Sequence, residues 1–239
     1  SAQINLLDSY GKPTETDVNM TFTDSKTGKL LNNYIHTLNY RGNPDTIYLD
    51  PSYLYDVKVH TIPPRIKKNV ALTAGKHNTI ALDAPQGYLN LKIEGVTNYA
   101  NLQALIIDKN SNEILNVHDF NDQQKYITGD YKIEILTLPR ITQESVTIAQ
   151  NKITTLQVQQ PGKLNIVTRN NFEIGIYRKH KGEMELVKNL SLVPNSTITV
   201  LQPGDYFLIY RATNTKETLS TKNTPFTIKS GEIKHINLK

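Results

Sequence analysis

The sequence predicts an all-β protein made of three tandem small antiparallel β-sandwich domains. Two observations carry this prediction. The chain repeats with a period of 75 to 76 residues, and the strand signals within each repeat are short and bounded by turn-forming residues. The composition agrees, since the 239 residues include 13 tyrosines and 38% hydrophobic residues, which favours packed strands over disorder. No segment of about ten residues or more has the pattern of a helix.

Three tyrosines mark the repeat. Tyr131 and Tyr206 each follow a Gly-Asp pair and open an alternating strand, and Tyr55 opens a third such strand. Tyr131 follows Tyr55 by 76 residues and precedes Tyr206 by 75. A residue at the same place in every repeat typically belongs to the core or makes a corner hydrogen bond, as in known sandwich domains. We therefore expect these three side chains to be buried.

Each repeat closes with a hairpin, and the next repeat begins after a proline. The closing unit is a strand, a Gly or Asn turn that tolerates positive φ, and a second strand. The hairpins run from Val70 to Leu82, from Val146 to Val158 and from Phe226 to Leu238. Proline donates no ladder hydrogen bond, so Pro85 and Pro161 mark the junctions. The predicted domains are residues 1–85, 86–161 and 162–239.

The strand signals follow closely along the chain. The first repeat has turns at Lys12-Pro13 and Lys26 to Lys29 and predicts strands from Ile4 to Leu7, Val18 to Thr23, Tyr34 to Leu38, Thr46 to Leu49, Tyr55 to Val59, Val70 to Leu72 and Asn78 to Leu82. The later repeats add Tyr88 to Ile93, Leu102 to Asp108, Ile114 to His118, and a hairpin of Ile174 to Arg178 with Met184 to Val187. About seven strands in roughly 80 residues is the density of a sandwich.

The composition excludes several classes of function. Absence of cysteine rules out disulfides, thiolate metal sites and cysteine nucleophiles. The net charge of +5 is mild, and its two densest clusters, Arg65 to Lys68 and Arg178 to Lys181, are short enough to be solvated strand or turn faces. We therefore expect no nucleic-acid partner. No apolar stretch approaches a membrane span. Ser1 and Ala2 are set aside from the fold, because the chain opens without Met and without a signal segment.

No enzyme template fits the chain. The sequence has no nucleophile elbow, P-loop, dinucleotide fingerprint or close histidine pair. Its six histidines are scattered, and only His60 and His77 lie in or near neighbouring predicted strands. We expect no catalytic residue, no cofactor and no metal site, since a third ligand for that pair is missing.

Two groups of acidic residues each have a functional and a structural interpretation. The segment from Asp108 to Glu113 resembles a calcium loop, but it lacks the loop glycine and the closing acidic residue, so an ordinary turn is favoured. The second repeat also holds a group of carboxylates that a cleft could pair for acid–base chemistry, although on a sandwich surface they would be solvating groups. This group is Glu94, Asp119, Asp122 and Asp130.

The tyrosines of the first repeat are the remaining candidates for binding. Tyr40, Tyr48 and Tyr53 lie close together in sequence and share no spacing with the other repeats. Exposed tyrosine rings can stack on sugars or anchor a protein partner. The alternative is that they only support strands, since tyrosine is a strong strand former.

Two groups of segments carry a family resemblance. They are Asn5 to Asp8, Pro13 to Phe22, His36 to Leu38 and Arg41 to Thr46, and then His60 to Pro64, Gly75 to Asn78, Ala84 to Gly87, Leu136 to Arg140 and Leu201 to Gly204. With these segments the chain resembles the region that follows a von Willebrand factor A domain in envelope proteins of Bacteroidetes, labelled calcium-activated chloride channel-like. The first repeat is also similar in strand layout to transthyretin-like and carboxypeptidase regulatory-like modules, and the whole class includes immunoglobulin-like sandwiches.

The resemblance implies a location and a role. The implied location is the periplasm or cell envelope. The implied partner is either another protein or the parent protein's own von Willebrand factor A domain. Metal binding in that family belongs to an Asp-x-Ser-x-Ser motif, which this chain lacks, so no metal residue is carried over. We expect a non-catalytic module that spaces or supports an adhesion domain. The alternative is a carbohydrate-binding module that uses Tyr40, Tyr48 and Tyr53.

Overall fold

The computed structural model describes residues 1–14, 17–95, 102–192, 196–214 and 220–238. Within these residues 21 strands form six sheets, and no α-helix is present. The first unit contains β1 Ala2–Leu7, β2 Val18–Asp24, β3 Leu30–His36, β4 Thr46–Ile47, β5 Leu54–Val59, β6 Arg65–Ala71 and β7 Asn78–Asp83. The second contains β8 Gln86–Ile93, β9 Gln103–Asp108, β10 Ile114–Asp119, β11 Gln123–Ile127, β12 Gly129–Ile135, β13 Ile141–Ile148 and β14 Ile153–Val158. The third contains β15 Gly162–Thr168, β16 Phe172–His180, β17 Glu183–Leu192, β18 Ser196–Leu201, β19 Gly204–Ala212, β20 Lys222–Ile228 and β21 Ile233–Leu238.

All three units have the same strand order. The first, fourth and seventh strands form a three-stranded sheet, and the second, third, fifth and sixth form a four-stranded one. The all-β class with three sandwiches is therefore confirmed. One feature differs from a purely antiparallel arrangement, because the first and seventh strands of each unit pair in parallel. In the described part of the chain, no sheet joins strands of two units.

The edges of the four-stranded sheets are interrupted. The pairing of the second with the third strand shifts register in every unit, as between Phe22 and Thr23. The pairing of the fifth with the sixth strand shifts as well in the first two units. An extra residue bends an edge strand and disturbs its free row of amides and carbonyls. These edges are therefore poor templates for pairing with another chain.

Each sandwich encloses its own hydrophobic cluster, and three of the described residues cross between units. Ile127, at the end of β11, belongs to the cluster of the first unit. Ile62, after β5, packs against the cluster of the second unit. Leu138, after β12, packs against the cluster of the third. The small cores therefore support one another at the junctions.

The structure corrects several sequence-based boundaries. Ala2 is fully buried in β1, where it pairs with Ile47 and Asn78, so setting it aside was wrong. The basic cluster from Arg65 to Lys68 lies in strand β6, which starts earlier than the expected Val70. β3 likewise begins at Leu30 instead of Tyr34. Side chains on these exposed edge strands need not be apolar, which weakened their pattern.

Three strands, β11, β15 and β18, were absent from the sequence-based set. β11 begins Gln-Gln-Lys and gives little hydrophobic signal, but its backbone pairs with β8 throughout. β18 does alternate exposed and buried residues, and a strand-by-strand comparison of the repeats would have found it. Among the described residues, no helical segment has the length and apolarity needed to cross a bilayer.

Candidate functional site

The three repeat tyrosines form equivalent corner hydrogen bonds. The hydroxyl of Tyr55 donates to the carbonyl oxygen of Asp50 at 2.8 Å. Tyr131 donates to Ile127 at 2.6 Å, and Tyr206 donates to Gln202 at 2.7 Å. All three side chains are at most 4% exposed. The predicted burial of these tyrosines is confirmed.

The corner acceptors of the second and third units also reach the preceding unit. The amide of Ile127 donates to the carbonyl oxygen of Ile62 at 2.8 Å. One repeat later, the amide of Gln202 donates to the carbonyl oxygen of Leu138, also at 2.8 Å. The same backbone contact therefore holds both junctions, and the repeat tyrosine fixes one side of each.

The first junction is closed by apolar and polar side chains together. The Ile127 side chain is buried in the core of the preceding unit. On another side of the same junction, the Gln150 side chain accepts from the Ser9 amide at 2.6 Å and donates to the Asp8 carboxylate at 3.2 Å. The groove beside Gln150 holds only about 50 Å³. The first two units are therefore clamped at two separate points.

The second junction is built differently. Gln202 replaces isoleucine at the contact position and is 6% exposed. Its side-chain nitrogen Nε2 has no hydrogen-bond partner among the described residues. Gln202 lines a cleft of about 440 Å³ whose walls come from both units. One wall includes Ile141 and Gln143, where the equivalent positions of the first junction carry the longer Arg65 and Lys67.

The exposed tyrosines do not form one cluster. Tyr48 is 85% exposed and Tyr53 is 39% exposed, and both line a groove of about 130 Å³ together with Asn32 and Asp50. Tyr40 is 89% exposed but lies in the connection before β4, beneath the Arg41 guanidinium at 5.2 Å. Tyr40 is not among the residues that line this groove. The structure therefore brings together two of the three candidates.

The segment from Asp108 to Glu113 forms a hairpin turn. The Asp108 carboxylate accepts from the amides of Asn110 and Ser111 at 2.8 Å each, and these bonds, that of Ser111 first, hold the pKa of Asp108 below its usual range. Asp24 makes the equivalent turn in the first unit, with bonds from the Lys26 amide and the Thr27 hydroxyl. The recurrence supports the turn interpretation.

The other ionisable candidates have separate partners. His60 contacts the Thr21 hydroxyl at 3.2 Å, and His77 contacts that of Ser1 at 3.1 Å. Asp119 accepts from Gln103 and Asp130 accepts from Thr147. Among the residues that the structure describes, no group of three or more potential ligands could hold a metal ion.

A buried polar network in the second unit was not predicted. Nδ1 of His118 contacts the Tyr126 hydroxyl at 3.0 Å, and Nε2 lies 3.2 Å from the carbonyl oxygen of Asp122. Because a carbonyl only accepts, Nε2 carries a proton. The hydroxyl also accepts from Asn116 at 2.8 Å. Burial raises the pKa of Tyr126 to about 12.

The cleft at the second junction was also missed by sequence reasoning. The signal was present in the repeat itself, since the positions of Ile127, Arg65 and Lys67 in one repeat become Gln202, Ile141 and Gln143 in the next. The similarities between the repeats define the units. Their differences at junction positions identify the cleft.

Comparisons with known proteins give likenesses of fold. No protein-family model and no curated protein matches the chain. The Bacillus anthracis TIE protein is 16% identical, with a TM-score of 0.29, over 100% of this chain and 50% of its own. The minor pilin of Streptococcus agalactiae is 12% identical, with a TM-score of 0.34, over 66% of this chain and 94% of its own. The pilus adhesin SpaC of Lactobacillus rhamnosus GG is 12% identical, with a TM-score of 0.24, over 95% of this chain and 39% of its own. The chain thus spans half the length of the Bacillus protein.

Proposed function

We propose that this chain is a non-catalytic spacer and interaction module of a cell-envelope protein. Its domains are residues 1–85, 86–161 and 162–239. The module places and supports an adhesion domain, and the sequence resemblance favours a von Willebrand factor A domain in that role. One observation carries the proposal: the corner residues Ile127 and Gln202 make the same backbone contact to the preceding unit.

This contact suits a spacer for a physical reason. Units joined only by a flexible chain would leave their separation undefined. Here the backbone hydrogen bonds at Ile62 and Leu138, together with shared core residues, hold each unit against the next. The interrupted sheet edges limit side-to-side pairing with other chains.

The spacer role is tested in a longer protein that carries the module. The module is deleted, or replaced by an unrelated tandem sandwich of equal length, and adhesion of whole cells is measured. We expect deletion to weaken adhesion and the unrelated replacement to restore it. If the replacement fails although it folds and is displayed, the module contributes specific contacts and spacing is not its role.

Carbohydrate binding is the second candidate function, and one observation favours it. Tyr48 and Tyr53 line one groove beside the Asn32 amide and the Asp50 carboxylate. Aromatic faces next to hydrogen-bonding groups suit a sugar ring. A glycan array on the wild type and on Tyr48→Ala is the test, since the exposed tyrosine can be removed without harming the core. A reproducible signal that Tyr48→Ala removes would support this function, and an array without signal would contradict it.

A further inference from the structure

We propose that the cleft between the second and third units binds an extended, carboxylate-bearing peptide segment. The cleft holds about 440 Å³, which is in the range of protein ligand sites, and such sites occur preferentially where domains meet. The first junction shows that this opening is not required for joining two units, because it uses the same backbone contact with a different set of side chains.

The first argument comes from Gln202. The residue is more than nine-tenths buried, it lines the cleft, and its Nε2 has no hydrogen-bond partner among the described residues. A buried amide donor without an acceptor is costly. An acceptor oxygen that enters the cleft next to Gln202 would remove that cost. Peptide carbonyls and carboxylates both provide such an oxygen.

The second argument comes from the strands that line the cleft. β13 contributes Ile141 and Gln143, and β14 contributes Leu156 and Gln157. β14 is the last strand of its three-stranded sheet and pairs with β8 without a register shift, so one side of its backbone is unpaired in the sheet order. An extended peptide can add its backbone to such an edge. The side chains of Ile141 and Leu156 would cover its apolar residues.

The third argument is charge. The wall from the third unit presents two cations, Arg178 and Lys179, and one carboxylate, Asp205. Asp205 already accepts from the Thr227 hydroxyl at 2.7 Å. Arg178 is paired with the Glu185 carboxylate at 2.7 Å. Lys179 is therefore the cation of the lining that forms no ion pair among the described residues, and an acidic side chain on the ligand would contact it.

The test is a titration of the full chain followed by NMR. The probe is a capped hexapeptide of alternating valine and glutamate, and a second peptide has lysine in place of glutamate. We expect saturable shifts of cleft amides with the glutamate peptide. The lysine peptide and the variant Lys179→Ala should bind about two- to fivefold more weakly, the effect of losing one exposed charge contact.

Two further variants separate binding from folding. Gln143→Trp places a large ring in the cleft and should abolish the shifts, whereas Thr142→Trp on the same strand, outside the cleft lining, should leave them unchanged. Gln202→Leu removes the unpaired donor, so the chain should be at least as stable while the peptide binds more weakly. Equal binding of both peptides, an absence of cleft shifts, or unaltered binding by Gln143→Trp would overturn the proposal. Binding of an acidic oligosaccharide in place of the peptide would overturn the assignment of the ligand.

Discussion

The backbone amide of Ile127 donates a 2.8 Å hydrogen bond to the carbonyl oxygen of Ile62, and this bond crosses from the second unit to the first. The carbonyl oxygen of Ile127 accepts the Tyr131 hydroxyl at 2.6 Å. One residue therefore connects the core of its own unit to the preceding unit. Loss of either contact should affect both units.

Tyr131→Ala should destabilise the second unit by about 3–5 kcal/mol, the range for losing a large core aromatic. The side chain is buried and its hydroxyl holds the corner. A small domain has only about 5 kcal/mol to lose, so much of the unit should unfold. Urea unfolding followed by circular dichroism measures the effect. Tyr48→Ala is the matched control, because its side chain is exposed, and it should change stability by less than about 0.5 kcal/mol. A stable Tyr131→Ala variant would refute the role of the corner.

Ile127→Gln should weaken the first junction, because it introduces the residue that the second junction has at the equivalent position, Gln202. The glutamine would be placed in the apolar core of the preceding unit, and burying an amide without partners costs about 1–3 kcal/mol. The reciprocal change Gln202→Ile should stabilise the second junction, because it removes an unpaired donor. Calorimetric melts of both variants measure the effects. If both variants changed the melting temperature by the same amount in the same direction, the proposed difference between the two junctions would be contradicted.

The sequence predicted the fold largely through its repeat. Tyr55, Tyr131 and Tyr206 recur because every unit needs the same corner, and the pattern therefore indicated both their burial and the unit length. The local sequence pattern failed to predict elements that are held in place by contacts with other strands. β11 is held by pairing with β8 despite its polar residues, and Ala2 is buried by its position between β4 and β7.

The candidate sites were harder to predict for a related reason. Tyr40, Tyr48 and Tyr53 are neighbours in sequence, but of these three Tyr48 and Tyr53 line one groove and Tyr40 does not, and sequence proximity does not show this. The cleft exists because the side chains of Gln202 and Gln143 leave space between the second and third units unfilled. Such a space arises from two units together, so no local pattern in either one predicts it.

The stability of the second unit should fall in strong alkali. Burial raises the pKa of Tyr126 and of Tyr131 to about 12 each, from an ordinary value of 10.0. The neutral phenols are favoured in the folded state, so their contribution is complete below pH 10 and is lost as the pH rises through 12. Urea unfolding between neutral pH and pH 12 should show this loss. The loss of stability should be smaller in Tyr131→Phe. An identical pH dependence in that variant would show that the Tyr131 hydroxyl does not contribute to the loss.

Removal of divalent cations should leave the unfolding midpoint unchanged. The Asp108 carboxylate is already bound by the amides of Asn110 and Ser111, and metal binding would need further oxygen ligands. Thermal melts with a chelator and with added calcium provide the measurement. Asp24→Ala, in the equivalent turn of the first unit, is the control for the loss of turn hydrogen bonds alone. A calcium-dependent rise that Asp108→Ala abolishes and Asp24→Ala preserves would show a site in this turn.

Gly87→Ala and Gly162→Ala should each destabilise the chain by about 1–3 kcal/mol or more, the cost of forcing extra atoms into a packed core. The two glycines occupy the same repeat position. A Cβ at Gly87 would fall on the carbonyl oxygen of Ala149, and one at Gly162 would fall on that of Lys229. These oxygens belong to backbone and cannot turn away, so the strands would have to separate. Gly175→Ala is the matched control, because the atoms nearest its added Cβ belong to the side chain of Tyr177, which can rotate. Urea unfolding of the three variants should therefore place Gly175→Ala nearest the wild type. A cost for Gly175→Ala equal to the others would contradict the role of backbone approach at Gly87 and Gly162.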